Sequence, residues 1–245
     1  MSRYKWAVVA LVGVLCLASL GMRLFSMVNN IPTIAQMNNL PVIIIDPGHG
    51  GLDGGAVGVD NIIEKDINLD LSLTLRDIFL VSGFEVVMTR DTDVSIHDDG
   101  VTGTRNQKVS DLHNRLALIE QYPNAIVISV HQNKFGQSSS KGTQVFYSPN
   151  HAGSERLAEI LQAGFIRNLQ PQNNRQKKQA GKNLYLMTES RCPAVLVECG
   201  FLSNSDEAHR LLDPEYQAQV AFTVFSSVME YLELDRPAAP VTLGT

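Results

Sequence analysis

Apolar residues along this chain fall into two kinds of run. Short runs, most of them rich in Val and Ile and closed by glycine or polar residues, occur at Val42–Asp46, Glu85–Thr89, Ala125–Val130, Thr143–Ser148, Asn183–Met187 and Ala194–Cys199. Their length and composition predict β-strands. Between them, apolar residues recur at helical spacing near Ile62–Val81, Val109–Gln121, Ser154–Leu169, Asp206–Leu211 and Pro214–Leu232. Strands alternating with helices predict an α/β fold. No internal repeat interrupts the alternation.

One stretch fits both patterns. DINLDLSLTL, residues 66–75, alternates polar and apolar like a half-buried strand, yet Ile63, Ile67, Leu71, Leu75 and Ile78 also form one helical stripe. The pattern runs on to Val81, too long for a typical strand, and it is Leu-rich rather than β-branched. A helix is predicted, capped at its start by Asp60 or Asn61 and ended by Gly83.

The ends of the chain carry no such pattern. Arg3 and Lys5 precede an uncharged run from Trp6 to Met22, and Arg23 closes it. A basic flank followed by an apolar run of this length predicts a membrane anchor or signal peptide over residues 1–23. With the basic end inside, the rest of the chain faces outward. Residues 24–40 are Asn-rich and unpatterned, as expected of a linker, and residues 236–245 read as a flexible tail. The domain itself is expected over residues 41–235.

A chain of 245 residues, with 44% hydrophobic residues, suffices for one domain with a full core. Its net charge of −5 and pI near 5.7 argue against nucleic acid as a partner. The densest basic stretch, Arg175 to Lys178, lies in a polar loop. Of the three cysteines, Cys192 and Cys199 flank the extended run Pro193 to Glu198 and would stand roughly 20 Å apart, beyond disulfide reach. The domain is therefore expected to be held by its core alone.

Candidate chemistry centres on IIIDPGHGGLDGG, residues 43–55, a buried strand running into a glycine-crowded turn. The spacing matches neither the dinucleotide fingerprint nor the Walker loop, so phosphate cradling is disfavoured. Instead a histidine, His49, sits where the strand ends, and that edge of an open α/β sheet is where ligands bind. His131 follows the strand AIVISV, Glu198 ends the strand AVLVE, and Glu64 opens the helix after the glycine turn. If these strands run parallel, His49, His131 and Glu198 share one rim, and the loop of residues 50–61 can fold Glu64 over it. Two histidines and a carboxylate form a common catalytic zinc set, and a second, unbound carboxylate serves as general base. Spacing does not say which glutamate plays which part. Each residue also has a plain structural role open to it: Glu64 at a helix N-terminus, His131 bonded to backbone, Glu198 paired with a lysine.

The segments VIIIDPGHGGLDGGAVG, IIEKDINLDLSLTLRD, VVMTRDTD, VISVHQN and PAVLVECGFLSN, in this order, closely resemble the zinc-dependent N-acetylmuramoyl-L-alanine amidases of type 3. The resemblance runs from Pro41 to about Leu232. It implies a single three-layer α/β domain, with a mixed, mostly parallel sheet between helices on both faces. It also implies zinc held by His49, Glu64 and His131, with Glu198 as the catalytic carboxylate. Gln132 departs from the small residue usual between the histidine and the asparagine of this motif. The segment DVSIHDDGVTGTRNQKVSDLHNR resembles the spore-cortex, CwlD-like branch, as does the short architecture without wall-binding repeats. The implied reaction is hydrolysis of the amide between the lactyl group of N-acetylmuramic acid and L-alanine, in cortex maturation by muramic lactam formation, and hence in germination. Peptidoglycan is the implied substrate, the forespore intermembrane space an implied location, and an activating partner protein a feature of some members. The alternative is a non-catalytic peptidoglycan-binding module with a structural zinc. His97, His113, His151 and His209 match no ligand position, although His97 stands beside Asp98 and Asp99.

Overall fold

The structure is a computed structural model, and it describes residues 40–234. The expectations for the apolar segment, nearly all of the linker and the tail lie outside the described residues. No helix among the described residues is long and apolar enough to cross a membrane.

The chain enters the sheet as β1 (Ile43–Pro47). A 3-10 turn at Val59–Asn61 leads to helix α1 (Glu64–Val81), then β2 (Val86–Met88) and α2 (Thr104–Ile119). Next come β3 (Ile126–Asn133), β4 (Gln144–Tyr147) and α3 (Ala152–Asn168). The short β5 (Lys178–Gln179) and α4 (Tyr185–Glu189) precede β6 (Ala194–Phe201). Two helices, α5 (Ser205–Leu211) and α6 (Pro214–Leu234), end the domain.

The sheet order is β2-β1-β3-β6-β4-β5. The first four strands are parallel, whereas β4 runs antiparallel to β6 and carries β5 parallel to itself. Helices α1, α3 and α6 pack together over one face. On the other face, Ile119 of α2 and Leu186 and Met187 of α4 share a buried cluster with Ile44, Val127 and Leu196 of the sheet. A strand covered on both faces reads as a near-continuous apolar run. Ile43, Ile44 and Ile45 are fully buried, each stabilising the fold by about 1.5–3 kcal/mol. The single α/β domain with a mixed, mostly parallel sheet is as expected.

The ambiguous stretch is helical. Ile67, Leu71, Leu75 and Phe79 form the buried stripe of α1, so Phe79 rather than Ile78 ends it. Three expectations need correction. Asn183–Met187 is not a strand: Tyr185–Glu189 forms a helical turn with Leu186 and Met187 buried, and the strand there is Lys178–Gln179. Neither Asp60 nor Asn61 caps α1; both take left-handed backbone angles in the 3-10 turn, and Ile63 holds the N-cap position. Helix α2 starts at Thr104, five residues before Val109, because its first turn is polar and carries no apolar period.

Candidate metal centre

The parallel strands β1, β3 and β6 end on one edge. His131 lies within β3, which continues to Asn133, and it stands in register beside Glu198 of β6. His49 follows β1, and Glu64 is the first residue of α1, brought over the edge by the loop between them. Backbone bonds fold this loop back: Glu64 N donates to Ala56 O, and Lys65 N to Gly54 O. All three histidine and glutamate ligand positions thus meet. One atom each from His49, Glu64 and His131 lies within 4.8 Å of the others. His49 Nε2 is 3.2 Å and His131 Nδ1 2.9 Å from the same oxygen, Glu64 Oε1.

Backbone geometry explains the glycines around His49. A Cβ at Gly48 would overlap the His131 ring, and one at Gly55 would sit 2.5 Å from Glu64 Oε2. His49 itself has φ 64°, a region that residues with side chains seldom occupy. Two arginines hold it there. Arg115 Nη2 donates to the His49 carbonyl at 2.6 Å and Arg115 Nη1 to that of Pro47 at 2.8 Å. Arg90 donates to the carbonyls of Pro47 and Gly48, both at 3.0 Å.

The carboxylate of Glu64 is similarly fixed. Oε2 accepts from Ala56 N at 2.7 Å, and Oε1 from Gln132 N at 3.1 Å and Asn68 Nδ2 at 3.3 Å. Burial opposes its charge, but the bonds to His131 and His49 outweigh it and hold Glu64 far below the usual carboxylate range. His49 shows the counterpart: burial works against protonation, yet the bonds to Asp53 and Glu64 lift it to about 9.

Glu198 is different. Its Oε2 is buried and has no hydrogen-bond partner among the described residues. Burial pushes Glu198 up to about 7; His131 and His49 pull it down and Glu64 adds to the rise. Glu198 and the three clustered residues line one cleft of about 350 Å³, with Leu112, Leu184 and Leu196 as its apolar wall.

The donor set suits zinc. Bonds near 2 Å in a tetrahedron keep ligand atoms about 3.3 Å apart, and two imidazoles with one carboxylate leave a fourth position open. The observed 3.2 and 2.9 Å separations are close to that spacing. The orphaned oxygen of Glu198 in the same cleft fits a group that exchanges protons rather than one that is committed to the protein. No other cluster of this kind occurs among the described residues. His97 instead meets Ser95 Oγ, His113 lies against Tyr185, His151 caps α3, and His209 pairs with Asp60. Cys192 and Cys199 are free and buried, and strand alternation turns Cys199 away from the Glu198 face.

Several residues that support the site were not foreseen from the sequence. Asp46, one residue past the isoleucine run, accepts from Arg115, Ser129 and Thr89 within the core. Asn68, Arg90, Lys108 and Asp53 complete the surroundings of the ligands. Asp46 in an otherwise apolar strand and the Asp111–Arg115 spacing of four were the available signals.

Comparison with known proteins leads to the same reading. A family model described as N-acetylmuramoyl-L-alanine amidase matches residues 43–230. The germination-specific N-acetylmuramoyl-L-alanine amidase of Bacillus subtilis (strain 168) is 37% identical over 190 residues, covering 78% of this chain and 79% of the relative. The CwlD amidase from Clostridioides difficile, solved in complex with the GerS lipoprotein, matches with a TM-score of 0.77 at 36% identity, covering 80% of this chain and all of that one. The catalytic domain of CwlV from Bacillus (Paenibacillus) polymyxa var. colistinus gives a TM-score of 0.64 at 29% identity, over 80% of this chain and 100% of that chain. The family model, the sequence relative and the fold agree: the chain belongs to the N-acetylmuramoyl-L-alanine amidase family and is an amidase of that kind.

Proposed function

We propose that residues 41–235 form a zinc-dependent catalytic domain that cleaves the amide between the lactyl group of N-acetylmuramic acid and L-alanine of the stem peptide. The observation that carries this reading is the convergence of His49, Glu64 and His131 beside an unpartnered Glu198. Bound zinc supplies Lewis acidity, lowering the pKa of water toward neutrality and favouring negative charge on the carbonyl oxygen. Glu198 accepts the proton of the attacking water and returns it to the departing amine of L-alanine. Burial raises Glu198 above the usual carboxylate range, which favours its taking up the proton. His49, Glu64 and His131 would hold the metal. The apolar wall of Leu112, Leu184 and Leu196 excludes water from one side of the scissile bond.

Incubating the full chain with peptidoglycan is expected to free stem peptides that begin with L-alanine. Release should stop with chelator and return with zinc. Intact glycan–peptide linkages at saturating zinc, with the activating partner proposed below also supplied, would refute the reading in favour of a binding module.

The biological setting we propose is spore cortex maturation, with muramic lactam formation and germination as its consequences. The name of the Bacillus subtilis relative, a germination-specific amidase, supports it. An activating partner protein belongs to the same proposal, supported by the lipoprotein bound to that neighbour. The setting requires the domain to lie outside the cytoplasmic membrane, carried there by Trp6–Met22 with Arg3, Lys5 and Arg23. An export-dependent reporter enzyme fused after Leu40 is expected to be active. A silent reporter in a well-expressed fusion contradicts the assignment.

A further inference from the structure

We infer that Asp53 is a positioning residue for the ligand His49, and that Lys108 in turn holds Asp53; the inference rests on the metal-site reading above. The two nitrogens of His49 face different partners. Nδ1 is 2.9 Å from Asp53 Oδ2, and Nε2 is the nitrogen turned toward Glu64, 3.2 Å from its Oε1. A neutral imidazole carries hydrogen on one nitrogen only. A carboxylate on Nδ1 fixes the hydrogen there and leaves the Nε2 lone pair free for a metal.

The Asp53 side chain is not needed to close its own turn. Backbone bonds do that, from Gly50 N to Asp53 O at 2.9 Å and from Asp53 N to Gly50 O at 3.2 Å. Of its carboxylate oxygens, Oδ1 accepts from Gly55 N at 3.2 Å, and Oδ2 lies between His49 and Lys108 Nζ, which is 2.9 Å away. Lys108 reaches across from α2, and its side chain is half exposed. Pairs this exposed contribute little to fold stability, so its effect belongs on the ligand instead. His49, Asp53 and Lys108 form a line of contacts from the ligand atom to the cleft rim.

The test measures zinc affinity of the full chain by competition with a chromogenic chelator, with thermal melting of the chelated protein as a fold control. Asp53→Ala is expected to weaken zinc binding by about 10–100-fold. Asp53→Asn keeps an acceptor in place and should lose less. Lys108→Met leaves the Gly55 bond intact, so a purely structural role for Asp53 predicts no change; the relay predicts a measurable loss. Lys108→Arg should restore affinity. The double variant Asp53→Ala/Lys108→Met should bind no more weakly than Asp53→Ala alone, because Lys108 acts through Asp53.

Wild-type affinity in Asp53→Ala overturns the inference, as does full additivity in the double variant. Should Asp53→Ala not fold, wild-type affinity in both Asp53→Asn and Lys108→Met overturns it equally. His131→Ala, run alongside, separates the two readings. If it retains zinc, the ligand assignment itself fails. If it loses zinc while the Asp53 and Lys108 variants do not, only the relay fails.

Discussion

Glu198→Gln is expected to lose most hydrolytic activity, roughly 10²–10⁴-fold, while binding zinc like the wild type. Glutamine keeps the shape of the side chain and its place beside His131 in the strand register, but it cannot take a proton. His49, Glu64 and His131 are untouched, so metal content should hold. Glu64→Gln should behave differently, with zinc and activity falling together, since Glu64 Oε1 lies within 3.2 Å of His49 Nε2 and His131 Nδ1, the other proposed ligands. Metal analysis and stem-peptide release on both variants decide the matter. Zinc lost from Glu198→Gln but kept by Glu64→Gln means that the two carboxylates have exchanged roles. Full activity in both refutes the mechanism.

The second large effect is on stability. Arg115→Met should cost about 3–5 kcal/mol, the usual consequence of removing one partner from a buried ion pair. The side chains of Arg115 and Asp46 are 2% and 1% exposed and 2.7 Å apart, and Arg115 also holds Asp111 at 2.6 Å. At roughly 2–4 °C per kcal/mol for a domain of this size, melting should fall by about 10 °C. The pH dependence tests the cause. Burial alone would raise Asp46, but Arg115, Ser129 and Thr89 hold it down to about 2. A carboxylate with a lowered folded-state value adds stability above its ordinary value near 4, and that stability is lost as pH falls through about 2. The contribution is about 2 kcal/mol. In Arg115→Met, Asp46 protonates more readily, so the stability gap from wild type should narrow below about pH 4. Adding Asp46→Asn should recover part of the loss at neutral pH. A gap that stays constant with pH would assign the effect to lost packing instead.

The sequence was most informative where burial is complete. Ile43–Ile45, Ile126–Ile128 and Ala194–Val197 are apolar on both faces because helices cover both, and this makes a central parallel strand easy to recognise. It was least informative at the margin. Lys178–Gln179 is a two-residue exposed edge, whereas NLYLM, residues 183–187, has the alternation of a strand but forms a helical turn that buries Leu186 and Met187. Short segments cannot settle that choice, since their packing partners decide it. The four site residues were legible as polar groups at strand and helix ends, but their meeting depends on strand order. The hydrogen bonds around them were not legible at all. Arg115 to His49 and Lys108 to Asp53 join residues whose approach is set by α2 lying over the edge of β1.

The order of the strands has a consequence for when the candidate site can assemble. The last strand made, β6, is not at the edge of the sheet; it slots between β3 and β4, which have no pairing with each other. Until it inserts, the earlier strands are two unjoined ribbons, β2-β1-β3 and β4-β5. Glu64 and His131, 67 positions apart, require β3 beside β1, and Glu198 arrives only with β6 itself. Contacts of such long range form late. A growing chain therefore cannot assemble the cleft until β6 is made and inserted, because Glu198, the proton carrier proposed above, comes with that strand.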